Sequence, residues 1–148
     1  MKLQKIPDGL WVFAGGGAGA FMRAVLTEIF PQTFLHLPVA VLCINVLGAF
    51  LLGCLLRFLA VSGQDAGWRK ATRLGVGTGV MGGFTTYSSF AVGAVSVATS
   101  GSVAAAFMYV FASIILGFLA CFLGQIIGEK LGFTSKNSQN GIKIRGVR

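Results

Sequence analysis

The chain has 148 residues, of which 55% are hydrophobic and 11% are charged, and its mean hydropathy is +0.81. A soluble domain carries about 25% charged residues, so this composition excludes an ordinary soluble fold and predicts a membrane protein of one domain. A net charge of +8 could suit nucleic acid, but every basic residue except Arg23 flanks an apolar segment or lies in the polar C-terminal tail. Basic residues in such places set membrane orientation, so we expect no nucleic-acid partner.

Four apolar segments, each near the ~20 residues that a bilayer requires, predict an all-α membrane protein with four transmembrane helices. They cover residues 10–29, 38–60, 74–98 and 103–127, to within a few residues. We therefore expect a single four-span domain over residues 1–132, followed by a polar basic tail over residues 133–148. The tail is expected to touch anionic membrane lipid.

The distribution of lysine and arginine predicts how the chain is oriented. The basic residues outside the spans lie before the first span, around the second link and after the fourth span, whereas the first and third links contain no lysine or arginine. With four spans, all of these basic residues fall on one side of the membrane. The prediction is a multi-pass protein of the cell inner or plasma membrane with both termini in the cytoplasm.

The first two spans each contain one polar residue that needs an explanation. Gly15 and Gly19 have the spacing that allows close helix packing, and Arg23 follows one turn later. An arginine at this depth costs at least ~2.5–3.5 kcal/mol unless it meets water or a partner. It could extend to the interface, but we favour a fixed positive charge in an aqueous vestibule that attracts anions. Asn45 in the second span could join helices or donate hydrogen bonds to a small anion.

The third span contains an unusual stretch at residues 75–90, GVGTGVMGGFTTYSSF. Its five glycines weaken a helix and let other backbones approach, and four hydroxyls follow within five positions: Thr85, Thr86, Ser88 and Ser89. A membrane tolerates broken backbone only where protein or a water-filled cavity satisfies it, so we interpret the stretch as a helix interrupted in mid-membrane at a polar pathway. In the fourth span, Tyr109 and Ser113 share one helix face, although Ser113 could simply bond to its own helix.

The absence of an acidic residue from the middle of the spans limits the possible functions, since Asp, Glu and His occur only in the links, the flanks and the span ends. Proton-coupled transport uses intramembrane Asp, Glu or His, and hydrolysis needs a base or metal ligands beside a nucleophile; the middle of the spans offers neither. These patterns favour a passive anion pathway, formed by an oligomer, over an enzyme or a proton-coupled cation exporter. A structural or accessory membrane subunit without conduction of its own is the alternative from a different class.

Three motifs carry a resemblance to a known family. Residues 15–23 are similar to GGxxGAxxR, residues 45–48 to NxxG, and residues 82–90 to GGxTTFSTF. The chain thereby resembles the CrcB or Fluc family of small bacterial fluoride channels over all four spans. The third motif is highly specific, whereas the other two would be weak alone.

The resemblance implies an antiparallel dimer of dual topology that exports cytoplasmic fluoride passively through two pores. It also implies a structural sodium ion at the dimer centre, which is required but not transported and which is bound by backbone carbonyls matching Gly82 and Thr85. On this resemblance the fluoride pathway is expected to include Arg23, Asn45, Thr86, Tyr87, Ser89, Phe90, Tyr109 and Ser113. Ring edges at Tyr87 and Phe90 would replace water around the anion.

The sequence departs from the family pattern at two positions. Tyr87 replaces a phenylalanine, which keeps the ring edge and adds a hydroxyl, and Gly117 stands where some members carry a serine. The charge bias also predicts one orientation, whereas dual topology needs nearly balanced flanks. The alternative to a homodimer is therefore a heterodimer with an oppositely oriented sister subunit, in which this chain is a non-conducting or obligate partner.

Overall fold

The computed structural model describes residues 7–30, 37–100 and 102–145, with side chains up to residue 134. These residues are helical apart from short links, which confirms the all-α prediction. In chain order the elements are α1 (Asp8–Ile29), α2 (Val39–Ser62), α3 (Trp68–Thr72), a π-helical segment (Arg73–Val80), α4 (Met81–Phe84), α5 (Tyr87–Thr99) and α6 (Val103–Arg145). Four helical stretches are long and apolar enough to cross a membrane: Asp8–Ile29, Val39–Ser62, Trp68–Thr99 and Val103–Thr134.

The last helix is longer than the fourth predicted span. It has 43 residues, which corresponds to about 65 Å at the rise of an α-helix, whereas a hydrocarbon core is about 30 Å thick. The sequence contains no proline after Pro38, so nothing removes a backbone donor where the apolar segment ends. Helical bonding therefore continues through most of the polar tail.

Glycines allow α1 to lie directly against the backbone of the third span. A Cβ atom added to Gly15 would meet the carbonyl oxygen of Gly75, and one added to Gly19 would meet that of Val80. A Cβ on Gly83 would in turn meet the Gly16 carbonyl. This confirms the close packing predicted from the spacing of Gly15 and Gly19.

Parallel helices α2 and α6 pack through a second set of glycines. A Cβ on Gly124 would meet the carbonyl oxygen of Phe50, and one on Gly128 would meet that of Cys54, one turn further along both helices. Such backbone contact replaces the side-chain interdigitation of a soluble helix pair. These glycines pair α2 with α6, and Gly48 of α2, where a Cβ would meet the Thr85 methyl group, joins this pair to the third span.

The segment Arg73–Val80 is wider than an α-helix. The amide of the next residue, Met81, donates to the carbonyl of Val76, five residues earlier, which is the pattern of a π-helix. Gly75, Gly77 and Gly79 within it are buried. Without side chains at these positions, the wide backbone fits between α1 and α2.

Among the residues that the structure describes, three ion pairs connect elements near the basic end of the bundle. The Lys70 ammonium lies 2.6 Å from an Asp8 carboxylate oxygen, and the Arg73 guanidinium lies 2.8 Å from Asp65. The hydrogen bond from Arg73 lowers the pKa of the Asp65 carboxyl, so this pair stays charged at neutral pH. These contacts fix the second link against the beginning of α1.

The third ion pair, between Arg57 of α2 and Glu129 of α6, is expected to add little stability. Two guanidinium nitrogens lie 3.0 and 3.2 Å from the two carboxylate oxygens, but the side chains are 40% and 39% exposed. We expect Glu129→Gln to cost less than about 1 kcal/mol, which is a shift of no more than about 4 °C in thermal unfolding in detergent. Glu28→Gln is the control, because Glu28 has no ion-pair partner among the described residues. A much larger shift for Glu129→Gln alone would contradict this estimate.

Candidate functional site

Two residues with extended backbone separate α4 from α5. Thr85 has φ −77° and ψ 156°, and Thr86 has φ −144° and ψ 119°. Thr86 is the N-cap of α5, because its hydroxyl oxygen accepts a hydrogen bond from the Ser89 amide at 3.2 Å. Threonine suits this position, since its side chain satisfies an amide that lacks a helical partner.

The side chain of Asn45 holds Thr86 by its backbone. The Thr86 amide donates to Asn45 Oδ1 at 2.8 Å, and Asn45 Nδ2 donates to the Thr86 carbonyl at 3.0 Å. In an uninterrupted α-helix the Thr86 amide would donate to the Gly82 carbonyl instead. Asn45 therefore satisfies backbone groups that the end of α4 leaves without helical partners, using its oxygen and one of its two amide hydrogens.

Three of the four neighbouring hydroxyls form a cluster. The Thr86 hydroxyl lies 3.2 Å from that of Ser88 and 3.1 Å from that of Ser89. The Thr85 hydroxyl instead donates to the Met81 carbonyl in its own turn, at 2.9 Å. Thr86 is thus the centre of the cluster, bonded through its amide, its carbonyl and its hydroxyl.

Two cavities border this cluster. The first, which we name the Arg23 cavity, has a volume of about 230 Å³, and its polar lining residues are Arg23, Thr27, Thr86 and Ser89. Its other lining residues are apolar: Ala20, Ala24, Val41 and Ile44. The Arg23 Nε atom is buried and has no hydrogen-bond partner among the described residues. The first-span arginine therefore borders a cavity between α1, α2 and the third span, and its buried Nε atom is an unsatisfied donor.

The second cavity, which we name the Tyr87 cavity, has a volume of about 220 Å³. Its lining residues are Asn45, Thr85, Thr86, Tyr87 and Phe90. No carboxylate lines either cavity among the described residues. The Arg23 cavity therefore offers a guanidinium group and hydroxyls, and the Tyr87 cavity offers an amide, hydroxyls and aromatic rings; both linings suit an anion.

Three aromatic rings extend from the Tyr87 cavity to α6. The ring centroids of Tyr87 and Phe90 are 6.1 Å apart, and those of Phe90 and Tyr109 are 5.6 Å apart. Tyr87 is 81% exposed, whereas Tyr109 is 4% exposed and its buried hydroxyl has no hydrogen-bond partner among the described residues. The row thus begins at an open face and ends inside the bundle.

Ser113 lies one turn beyond Tyr109 on α6. Its hydroxyl donates to the Tyr109 carbonyl at 2.7 Å, so its proton is used within the helix. A Cβ at Gly117 would meet nothing within 4 Å, so this departure from the family pattern leaves open space. The predicted pathway residues thus lie around the two cavities and the row of rings, with Ser113 at its edge.

The backbone at the end of α4 suits a cation better than the side chains do. Among the described residues, no group of three or more His, Cys, Asp or Glu comes together. The Gly82 carbonyl loses the amide of Thr86 to Asn45, and Gly82 is exposed, with no atom near an added Cβ. Carbonyl oxygens at an unwound helix end can coordinate sodium, so Gly82 and Thr85 fit the donor set that the resemblance implies.

Thr27 lies on the wall of the Arg23 cavity, although it is not among the predicted pathway residues. It follows Arg23 by four residues and so lies on the same face of α1. That spacing was the available signal. It could not be used without knowing which face of α1 borders a cavity.

These features define a class: an all-helical, multi-pass membrane protein with polar cavities among its candidate spans. The family model described as CrcB-like protein, Camphor Resistance (CrcB) matches residues 10–125, and the chain belongs to this family. One relative, "Fluoride-specific ion channel FluC 2" of Leifsonia xyli subsp. xyli, is 43% identical over 123 residues, or 83% of this chain and 84% of its own length. "Fluoride-specific ion channel FluC" of Deinococcus radiodurans is 37% identical over 132 residues, or 86% of this chain and all of its own length.

Proposed function

We propose that this protein is a fluoride-selective channel that lets cytoplasmic fluoride leave the cell down its electrochemical gradient. The names of the relatives support fluoride as the ion. The observation that carries the proposal is the lining of the two cavities, which combines a half-buried arginine, hydroxyls and aromatic rings without a described carboxylate. Such a lining attracts an anion and offers no group that would couple its movement to protons.

Each lining group has a distinct role in this proposal. The fixed charge of Arg23 raises the local concentration of anions in its cavity. The hydroxyls of Thr86 and Ser89, with Asn45, take over hydrogen bonds that water makes in solution. The electropositive ring edges of Tyr87 and Phe90 continue this replacement in the Tyr87 cavity, and Tyr109 and Ser113 extend it along α6.

The proposal includes a dimer of oppositely oriented chains, with the interruption at Thr85 and Thr86 near mid-membrane. Support comes from the Tyr87 cavity, whose lining residues all belong to α2 and the third span, and from the 81% exposure of Tyr87. A polar cavity open to lipid would leave its groups unsatisfied, and a second chain would close it. A sodium ion held by the Gly82 and Thr85 carbonyls would neutralise the negative ends of the α4 helices at that contact.

Fluoride efflux from liposomes tests the function directly. The full chain is reconstituted in sodium-containing buffer into vesicles loaded with potassium fluoride, and external fluoride is followed with an electrode after addition of a potassium ionophore. We expect rapid fluoride release. Matched vesicles loaded with potassium chloride should release little chloride, measured with a chloride electrode. Vesicles that contain folded protein and retain their fluoride would refute the proposal.

Substitutions of Tyr87 test whether its ring edge contributes to fluoride conduction. Tyr87→Phe keeps the ring, so we expect fluoride efflux to stay within about threefold of the unmodified protein. Tyr87→Leu removes the ring edge and should slow efflux by up to about tenfold, since an aromatic contact contributes up to about 1.5 kcal/mol. The same liposome assay measures both variants. Equal efflux from Tyr87→Leu and Tyr87→Phe would show that the ring edge does not contribute.

A further inference from the structure

Thr86 is the residue common to the two cavities. It lines the Arg23 cavity together with Ser89, and it lines the Tyr87 cavity together with Asn45 and Phe90. Thr86 itself is 8% exposed. Within the described bundle, it forms the wall that the Arg23 cavity and the Tyr87 cavity share.

This wall is held in place from three directions. Asn45 bonds both the amide and the carbonyl of Thr86, at 2.8 and 3.0 Å. The Ser89 amide donates to the Thr86 hydroxyl oxygen at 3.2 Å, and the hydroxyls of Ser88 and Ser89 lie 3.2 and 3.1 Å from the same oxygen. The backbone of Thr86 is therefore fixed, while the protons of three adjacent hydroxyls can rotate among alternative acceptors.

We propose that the Thr86 side chain separates the two cavities and that an ion passes it when moving from one cavity to the other. We further propose that this side chain makes the passage selective for fluoride. This inference rests on the proposed fluoride channel. The Thr86 hydroxyl donates a hydrogen bond to the crossing anion, whereas in the resting arrangement it donates to the Ser89 hydroxyl. The methyl group narrows the passage, so that anions larger than fluoride are excluded. Asn45 acts through Thr86 as a positioning residue.

The hydroxyl group and the methyl group of Thr86 can be tested separately. Thr86→Val keeps the shape and removes the hydroxyl, so fluoride efflux should fall at least about tenfold, the loss expected for one hydrogen bond to a charged group. Chloride efflux should stay at background. Thr86→Ser keeps the hydroxyl and removes the methyl, so fluoride efflux should persist while chloride efflux rises about tenfold or more above background.

Thr78→Val is the matched control, because Thr78 is exposed in the π-helical segment and lines neither cavity. All proteins are compared in the fluoride and chloride liposome assays after thermal unfolding in detergent has verified folding. The inference is overturned if folded Thr86→Val conducts fluoride like the unmodified protein, or if Thr86→Ser remains as selective as the unmodified protein. If Thr86→Val does not fold, the chloride result for Thr86→Ser decides. Failure of the unmodified chain to release fluoride would instead overturn the proposed function, and this inference with it.

Discussion

Replacing Gly19 by alanine is expected to destabilise the protein by about 1–3 kcal/mol or more, the range for overpacked interiors. The added Cβ would meet the Val80 carbonyl and the Phe84 amide. Both neighbours are backbone atoms, so no flexible side chain can move aside. The helices must separate, and the contact that holds α1 against the third span is weakened.

Gly17→Ala is the matched control in the same helix. A Cβ at Gly17 would meet nothing within 4 Å, and alanine is a better helix former than glycine by roughly 0.5–1 kcal/mol. We therefore expect unchanged or slightly higher stability for Gly17→Ala and a clear loss for Gly19→Ala, measured by thermal unfolding in detergent. Similar unfolding temperatures for the two variants would show that the helices separate without cost.

Asn45→Leu is expected to abolish conduction almost completely, with fluoride efflux reduced more than about a hundredfold. Leucine has nearly the same size but cannot bond the Thr86 amide and carbonyl. Leaving a buried backbone group unsatisfied costs about 1–3 kcal/mol, so Thr85 and Thr86 should move to other partners. Both cavities then change shape, because Thr86 lines each of them.

Gln125→Leu controls for the removal of an amide. Gln125 is exposed on α6, and its amide nitrogen lies 3.6 Å from the Cys121 sulfur, so efflux should be unchanged.

A second variant, Asn45→Asp, keeps an acceptor for the Thr86 amide but places a negative charge beside the anion pathway. It should stay folded better than Asn45→Leu while conducting as poorly. Normal efflux from folded Asn45→Leu would exclude the anchoring role of Asn45.

The sequence predicts the parts of the fold that depend on composition and spacing. Four long apolar segments led to the four candidate spans, and the spacing of Gly15 and Gly19 predicted close helix packing, although the partner, the third span, came only from the structure. The cluster of glycines and hydroxyls indicated an interruption of the third helix. The two extended residues lie at Thr85 and Thr86, while their depth in the membrane stays a prediction.

The remaining features depend on contacts between distant residues. Asn45 and Thr86 are 41 positions apart, and nothing in the sequence indicates that an amide in the second span bonds a backbone in the third. The length of α6 was missed because a polar tail without an apolar face carries no periodic signal, although it contains no proline to stop a helix. Thr27 was missed for a related reason, since the orientation of α1 is set by its glycine contacts.

The π-helical segment Arg73–Val80 has a consequence for comparing this chain with others. Each residue of an α-helix turns the chain by about 100°, and a π-helix contains more residues per turn. A π-turn therefore accommodates an extra residue while the helix that follows keeps its face. A homologue one residue shorter here can close the segment into an α-helix and still direct Met81 and Phe84 as this chain does, so a one-residue gap in an alignment belongs within Arg73–Val80.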